Sequence, residues 1–331
     1  MATQAANNTS IDSSSNKRKG PASSGMIDPK ALMQIKNLEM RARVVVEGFY
    51  HGLHRSPFHG FSSEFTEYRS YVSGDDTRFL DWKLYARTDR YYVKKFEDET
   101  NLRCYLLSDH SRSMGYGSGS YSKAEYAQTL SATLAYFLFK QGDAVGLLSF
   151  DDDFREYIPA RNRPGHLRQL MHGLERPVSG RNTDVIAPLK QSLQLLRKRS
   201  LVILISDLLA PIEDLEAHFG YLAASGHDMV VFHLYDPVEM TLDLEGAGLF
   251  VDLETGRDFH VDPEIARESY LEKFNAHNEK ISDACRNTGI GYTLLCSDYP
   301  LEVALSEFLQ ERQSKGRRIM RSTGNPGRNH S

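Results

Sequence analysis

The sequence predicts an α/β protein with a doubly wound, mainly parallel sheet and a smaller N-terminal module, and three observations carry the sheet. Short apolar runs at Leu102 to Leu107, Ala144 to Phe150, Leu201 to Ile205 and Met229 to Leu234 have the length of buried strands rather than helices. Longer segments with apolar residues at helical spacing separate them, and such alternation builds a sheet covered on both faces. Two of the runs, read as the first and fourth strands, are followed by aspartates, Asp109 and Asp207. In a doubly wound sheet the crossover direction reverses between such strands and leaves a ligand crevice outside their carboxyl ends.

Composition sets the class. With 40% hydrophobic and 25% charged residues over 331 positions, the chain can bury a core. A net charge of -4 gives no reason to expect nucleic acid. Cys104, Cys285 and Cys296 form no C-x-x-C pair, which predicts reduced, buried thiols rather than disulfides or a zinc site. No stretch approaches the roughly 18 apolar residues of a membrane span, and the polar N-terminus has no signal-peptide core. The expectation is a cytoplasmic protein without membrane insertion.

In chain order, residues 1–25 are rich in Ser, Asn, Ala and Gly and read as a disordered tail. Asp28 ahead of Pro29 starts a helix expected to run to Phe49. It opens a module placed at 26–100. A strand at Tyr91 to Phe96 precedes the main domain, placed at 101–312. There Lys123 to Lys140 buries Ala127, Leu130, Leu134, Phe137 and Leu138 as an amphipathic helix stopped by Gly142. A returning edge strand is expected at Arg155 to Ile158. Helices near Pro164 to Leu174, Val185 to Arg197, Ile212 to Ala224, Pro263 to Thr288 and Leu301 to Gln310 cover the sheet, with further strands at Leu249 to Leu253 and Tyr292 to Cys296. The basic stretch 313–331 is expected to be a disordered tail.

The chemistry gathers where the first strand ends. Asp109, Ser111 and Ser113 offer a carboxylate and two hydroxyls at alternate positions; Thr183 follows the Gly180-Arg181-Asn182 turn, and Asp207 follows the fourth strand. A hard cation such as Mg²⁺ or Mn²⁺ favours few carboxylates, neutral oxygens and retained water. These five residues resemble the metal-ion-dependent adhesion site of von Willebrand factor A-type domains: Asp-x-Ser-x-Ser, a distant Thr and a distant Asp.

A second stretch sharpens the resemblance. Arg69, the run Gly74-Asp75-Asp76-Thr77-Arg78, Asp81-Trp82 and Ala86-Arg87, then Val93, Phe96 and Glu99, precede the metal motif. Together they resemble the von Willebrand factor A-like family catalogued as domain of unknown function 58, over about residues 45 to 310. Arg69, Asp75, Asp76, Arg78, Asp81, Trp82 and Arg87 themselves read as an ion-pair cluster around the chain's only tryptophan, either fixing a short helix or forming a partner surface.

The resemblance implies a divalent-metal-dependent protein-binding module that takes an Asp or Glu from a protein partner. It further implies an adaptor or co-chaperone acting with a MoxR-type AAA+ ATPase on client complexes. The alternative is a metal-dependent hydrolase using the same site. Other motifs fall short. Ser120 stands where a Gly-x-G-x-x-Gly fingerprint after Gly115 and Gly117 needs its last glycine, no nucleophile elbow surrounds the serines, and no nucleotide-binding Gly-x-x-x-x-Gly-Lys-Ser/Thr loop is present. No catalytic residue is assigned.

Overall fold

A computed structural model of the chain describes residues 26–55, 68–70, 92–94, 102–151, 154–178, 186–196, 198–251 and 256–323. The tail expected over 1–25, the stretch from Asp75 to Arg87, Thr183 and residues 324–331 lie outside the described residues.

The described residues open with α1 (Pro29–Met33) and α2 (Leu38–Arg55), in place of the one continuous helix to Phe49 that the spacing predicts. The break has a local cause: Asn37 Oδ1 accepts the Met40 amide at 2.8 Å and caps a second helix. Strands β1 (Tyr68–Ser70) and β2 (Tyr92–Lys94) pair antiparallel, with Arg69 opposite Val93. The main sheet then begins with β3 (Arg103–Asp109), followed by α3 (Lys123–Lys140), β4 (Ala144–Phe150) and the edge strand β5 (Phe154–Arg161). Helices α4 (His166–Leu174) and α5 (Ile186–Leu195) lead to β6 (Leu201–Ser206), α6 (Ile212–Ala224) and β7 (Asp228–Tyr235). A short α7 (Pro237–Thr241) and a hairpin of β8 (Gly248–Val251) and β9 (Asp258–Val261) come next. Helix α8 (Pro263–Thr288), β10 (Gly291–Cys296) and α9 (Leu301–Thr323) complete the described residues.

The six main strands lie in the order β10-β7-β6-β3-β4-β5. All neighbours are parallel except β4 and β5, which run antiparallel. The chain therefore moves from β3 outward to β4 and β5, then returns to the other side of β3 to lay down β6. This is the doubly wound, mainly parallel architecture predicted from the sequence, and its reversal point lies between β3 and β6.

Because successive strand residues point to opposite faces, β3 feeds two cores. Cys104 and Leu106 join Leu130, Leu134 and Phe137 of α3 and Leu305 and Phe308 of α9 on one face. Tyr105 and Leu107 join Leu189 of α5, Phe219 of α6 and Ile281 of α8 on the other. Each fully buried Leu or Phe contributes roughly 1.5–3 kcal/mol. Ala42, Val45, Val46 and Phe49 of α2 belong to the first of these cores, so the N-terminal helix packs with the main sheet's own helical layer. Phe49 meets Phe137 edge-on at 6.5 Å.

At the other end α9 runs to Thr323, past the Gln310 limit and into the stretch expected to be a basic tail. Residues 311–323 contain no proline, and the first Gly-Asn-Pro stop comes only at 324–326. All three cysteines are buried free thiols. Among the described residues no helix is long and apolar enough to cross a membrane.

Candidate metal centre

Asp109 is the last residue of β3 and Asp207 follows β6, so adjacent parallel strands bring them to one end of the sheet. Both are buried, 1% and 0% exposed. After Asp109 the chain folds over its own carboxylate: Asp109 Oδ1 accepts the Ser111 amide at 2.8 Å. That turn enters a short 3-10 helix, Arg112–Gly115, and leaves Ser111 Oγ and Ser113 Oγ 3.1 Å apart. Ser206, the last residue of β6, donates its hydroxyl to Asp109 Oδ2 at 2.5 Å and accepts the Leu208 amide at 3.0 Å. Of the five predicted ligands the fold gathers Asp109, Ser111, Ser113 and Asp207; Thr183 is outside the described residues.

Electrostatics show how these carboxylates sit. Burial, and next the charge of Asp207, push the Asp109 carboxyl up to about 7, against the opposing hydrogen bonds from Ser206 and Ser111. Asp207 Oδ1 is buried without a hydrogen-bond partner. A buried carboxylate oxygen left in that state costs free energy that a cation would recover. Among the described residues no group of three or more His, Cys, Asp or Glu could hold a metal ion. The donors at this end of the sheet are the carboxylates of Asp109 and Asp207 and the hydroxyls of Ser111 and Ser113, a hard oxygen set of the kind that suits Mg²⁺ or Mn²⁺. The residues present fit such an ion.

Several residues at the centre escaped the sequence reading. Lys123, the first residue of α3, is 1% exposed and donates from Nζ to Asp207 Oδ2 at 2.9 Å and to Glu239 Oε1 at 2.7 Å. Burial alone would lower its pKa, but Asp207 and Glu239 overcome that and leave it raised. Glu239 also accepts the Asp236 amide at 2.8 Å, in a capping box that starts α7. The Asp236-Pro237-x-Glu239 spacing announces that helix start in the sequence, although not its link to the site.

His233 supports Asp207 from behind. Burial drives its imidazole down to about 3, so the ring is neutral. Nε2 must then donate to the Asp207 carbonyl at 2.9 Å, while Nδ1 accepts from the Tyr292 hydroxyl at 2.9 Å. The next residue, Leu208, is buried at φ +50, a left-handed conformation that costs a bulky residue roughly 1–2 kcal/mol. The hydrogen bond its backbone N–H donates to Ser206 Oγ holds it there. His110 is buried with Nε2 3.3 Å from Ser108 Oγ, and burial lowers its pKa.

The glycine-rich loop has a packing role. A Cβ on Gly117 would come within 2.3 Å of the Tyr121 carbonyl and 2.8 Å of Ser122 Cα. The loop closes this tightly because Tyr116 accepts the Lys123 amide at 2.8 Å and Asp236 Oδ2 accepts the Ser118 amide at 2.9 Å. Gly117 thus lets the chain double back and deliver Lys123 to the centre. In the second sequence cluster, Arg69 lies on β1; Asp75, Asp76, Arg78, Asp81, Trp82 and Arg87 lie outside the described residues.

Comparison with known proteins adds relatives to this geometry. The chain is 25% identical over 291 residues to the Mycobacterium tuberculosis Uncharacterized protein Rv1480, covering 86% of this chain and 91% of that one. Among solved structures, an aerotolerance-related membrane protein from Bacteroides fragilis gives a TM-score of 0.45 at 16% identity, over 64% of this chain and 99% of that chain. The SpRpn10 VWA domain gives 0.39 at 13% identity, over 62% of this chain and 93% of that chain. The family model described as Protein of unknown function DUF58 matches residues 67–280, more than half of the sequence, and the chain belongs to that family.

Proposed function

We propose that this protein is a protein-interaction module that holds one Mg²⁺ or Mn²⁺ ion between the ends of β3 and β6 and takes an Asp or Glu side chain of a partner there. The observation that carries the reading is the convergence of Asp109, Ser111, Ser113 and Asp207 at the reversal point of the sheet, with Asp207 Oδ1 buried and unpartnered. Asp109 and Asp207 would hold the ion, joined by the hydroxyls of Ser111 and Ser113 and by Thr183. When bound, the ion supplies a positive centre that an acidic side chain can meet.

The chain's own residues make that centre rigid. The Asp109 carboxylate is fixed at both oxygens by Ser111 and Ser206, and Asp207 is held by its carbonyl to His233. Ligands locked in this way need little reordering to receive a cation. The family resemblance supports a MoxR-type AAA+ ATPase, or its client complexes, as the partner side, with this chain as adaptor or co-chaperone.

Titration calorimetry with Mg²⁺ and Mn²⁺ tests the ion. Ser111→Ala is expected to weaken binding roughly tenfold, as loss of one neutral oxygen implies, while the lost hydrogen bond to Ser113 lowers the melting temperature in chelator by no more than a few °C. A pull-down with and without chelator tests the partner: capture should require the ion and fall with Ser111→Ala and Thr183→Ala. Undiminished capture in chelator by folded protein would move recognition away from this centre, to the Asp75 to Arg87 stretch.

A further inference from the structure

The centre already contains a cation of its own. Lys123 stands at the first position of the 18-residue helix α3, behind the Ser122 cap. That is the positive end of the helix dipole, where an ammonium is unfavourable. The side chain is also buried, and an ammonium out of water is costly unless it is well paired. Lys123 is nevertheless aimed inward, its Nζ bridging Asp207 Oδ2 and Glu239 Oε1. One carboxylate, Asp207, therefore has one oxygen on an ammonium and the other buried without a partner.

Charge counting gives this arrangement a consequence. Once an ion has displaced any proton on Asp109, the carboxylates of Asp109, Asp207 and Glu239 against the Lys123 ammonium leave a net charge of two negatives, which a divalent ion cancels. Without the Lys123 ammonium the same ion would leave one negative charge at the centre, and an incoming carboxylate would meet repulsion. The lysine also withdraws electron density and charge from the Asp207 oxygen it holds, so it and the ion draw on one carboxylate.

We propose that Lys123 is a tethered counter-cation of the centre, which shares Asp207 with the divalent ion, holds ion affinity below what the bare carboxylates would give, and leaves the loaded site neutral. Glu239 is its anchor: it shares the ammonium with Asp207, and so leaves Asp207 partly available. This inference rests on the reading of Asp109 and Asp207 as ion ligands.

The test is titration calorimetry of the full chain with Mn²⁺ alone and Mg²⁺ alone, comparing the parent with Lys123→Met and Glu239→Gln. Methionine keeps an unbranched side chain without the charge. Removing a unit charge this close to a divalent ion should tighten binding by about tenfold or more in Lys123→Met. Glu239→Gln should weaken binding by about tenfold, because it removes a negative charge and commits the ammonium to Asp207. Melting curves supply a second readout: saturating Mg²⁺ should raise the melting temperature of Lys123→Met by more than that of the parent. Unchanged or weakened binding in folded Lys123→Met overturns the proposal and leaves Lys123 a structural tie. Should that variant not fold, Glu239→Gln decides alone, with unchanged or tighter binding overturning it. A parent that binds no ion defeats the metal-centre reading itself, an outcome distinct from either.

Discussion

Replacing Asp109 with Asn should abolish ion binding and, in chelator, raise the melting temperature. The two effects share one cause. Asp109 is buried beside Asp207, and the price of keeping its carboxylate ionised there is what pushes its pKa up to about 7. Asparagine keeps the shape and an acceptor for the Ser111 amide, and turns its amide nitrogen toward Ser206 Oγ. It removes the repulsion and, with it, one of the two charges that would hold the ion. The sign against pH follows from the raised pKa. Between the unfolded value of 3.8 and about 7 the folded protein binds the extra proton, so the stability that Asp109 contributes is present at low pH and is lost as pH rises through about 7. The advantage of Asp109→Asn in chelator should therefore grow toward pH 8, reaching a few °C, the shift that about 1 kcal/mol produces in a domain of this size. Melting curves at pH 5 and pH 8, with chelator and with saturating Mg²⁺, check both effects. Parent and variant equally stabilised by Mg²⁺ would show that Asp109 does not hold the ion.

Val45→Asp should unfold the protein or destabilise it by about 4 kcal/mol or more, the range reached when an unpaired charge is buried. Val45 is 0% exposed on α2 and lies in the same core as α3 and α9, so the carboxylate would enter apolar packing that includes Phe137 and Phe308. Met40 supplies the control, since it is on the same helix but 50% exposed. Met40→Asp should change stability by less than about 0.5 kcal/mol. Denaturant melts of the two variants measure the difference. Similar midpoints would mean that α2 is not part of the cooperative core, although it precedes the family-matched residues 67–280.

The sequence exposed some features of this molecule because they are local. Leu201 to Ile205 and Ala144 to Leu148 are continuous apolar runs, and the burial of these strands on both faces leaves a clear pattern. Asp109 and Asp207 are conspicuous as charges placed directly against such runs. Lys123 had no equivalent mark. A lysine opening an amphipathic helix is ordinarily solvated, and its partners lie 84 and 116 positions away, at distances no periodicity reports. His233 sits inside an apolar strand, where a lone imidazole is indistinguishable from a packed one until Asp207 and Tyr292 are seen on either side. The break between α1 and α2 was hidden for the opposite reason: the apolar spacing continues through it, and the single side chain of Asn37 restarts the helix. Basic composition masks the length of α9, which runs through Gly316 to Thr323 because residues 311–323 contain no proline and the Gly-Asn-Pro sequence comes only at 324–326.

The antiparallel edge strand β5 bears on how copies of this chain meet. Its sequence contains Arg155, Glu156 and Arg161, together with Pro159, which has no amide proton to offer a neighbour. Its pairing with β4 skips from Val145 opposite Arg161 to Leu147 opposite Ile158, so Pro159 and Ala160 bulge out against Gly146. Gly146 admits this, since a Cβ there would lie 2.7 Å from the Ile158 carbonyl. A bulged, charged and proline-interrupted border cannot zip onto its own copy as one continuous ladder. The bulge and the missing Pro159 amide thus make this side of the sheet a poor template for adding a further strand.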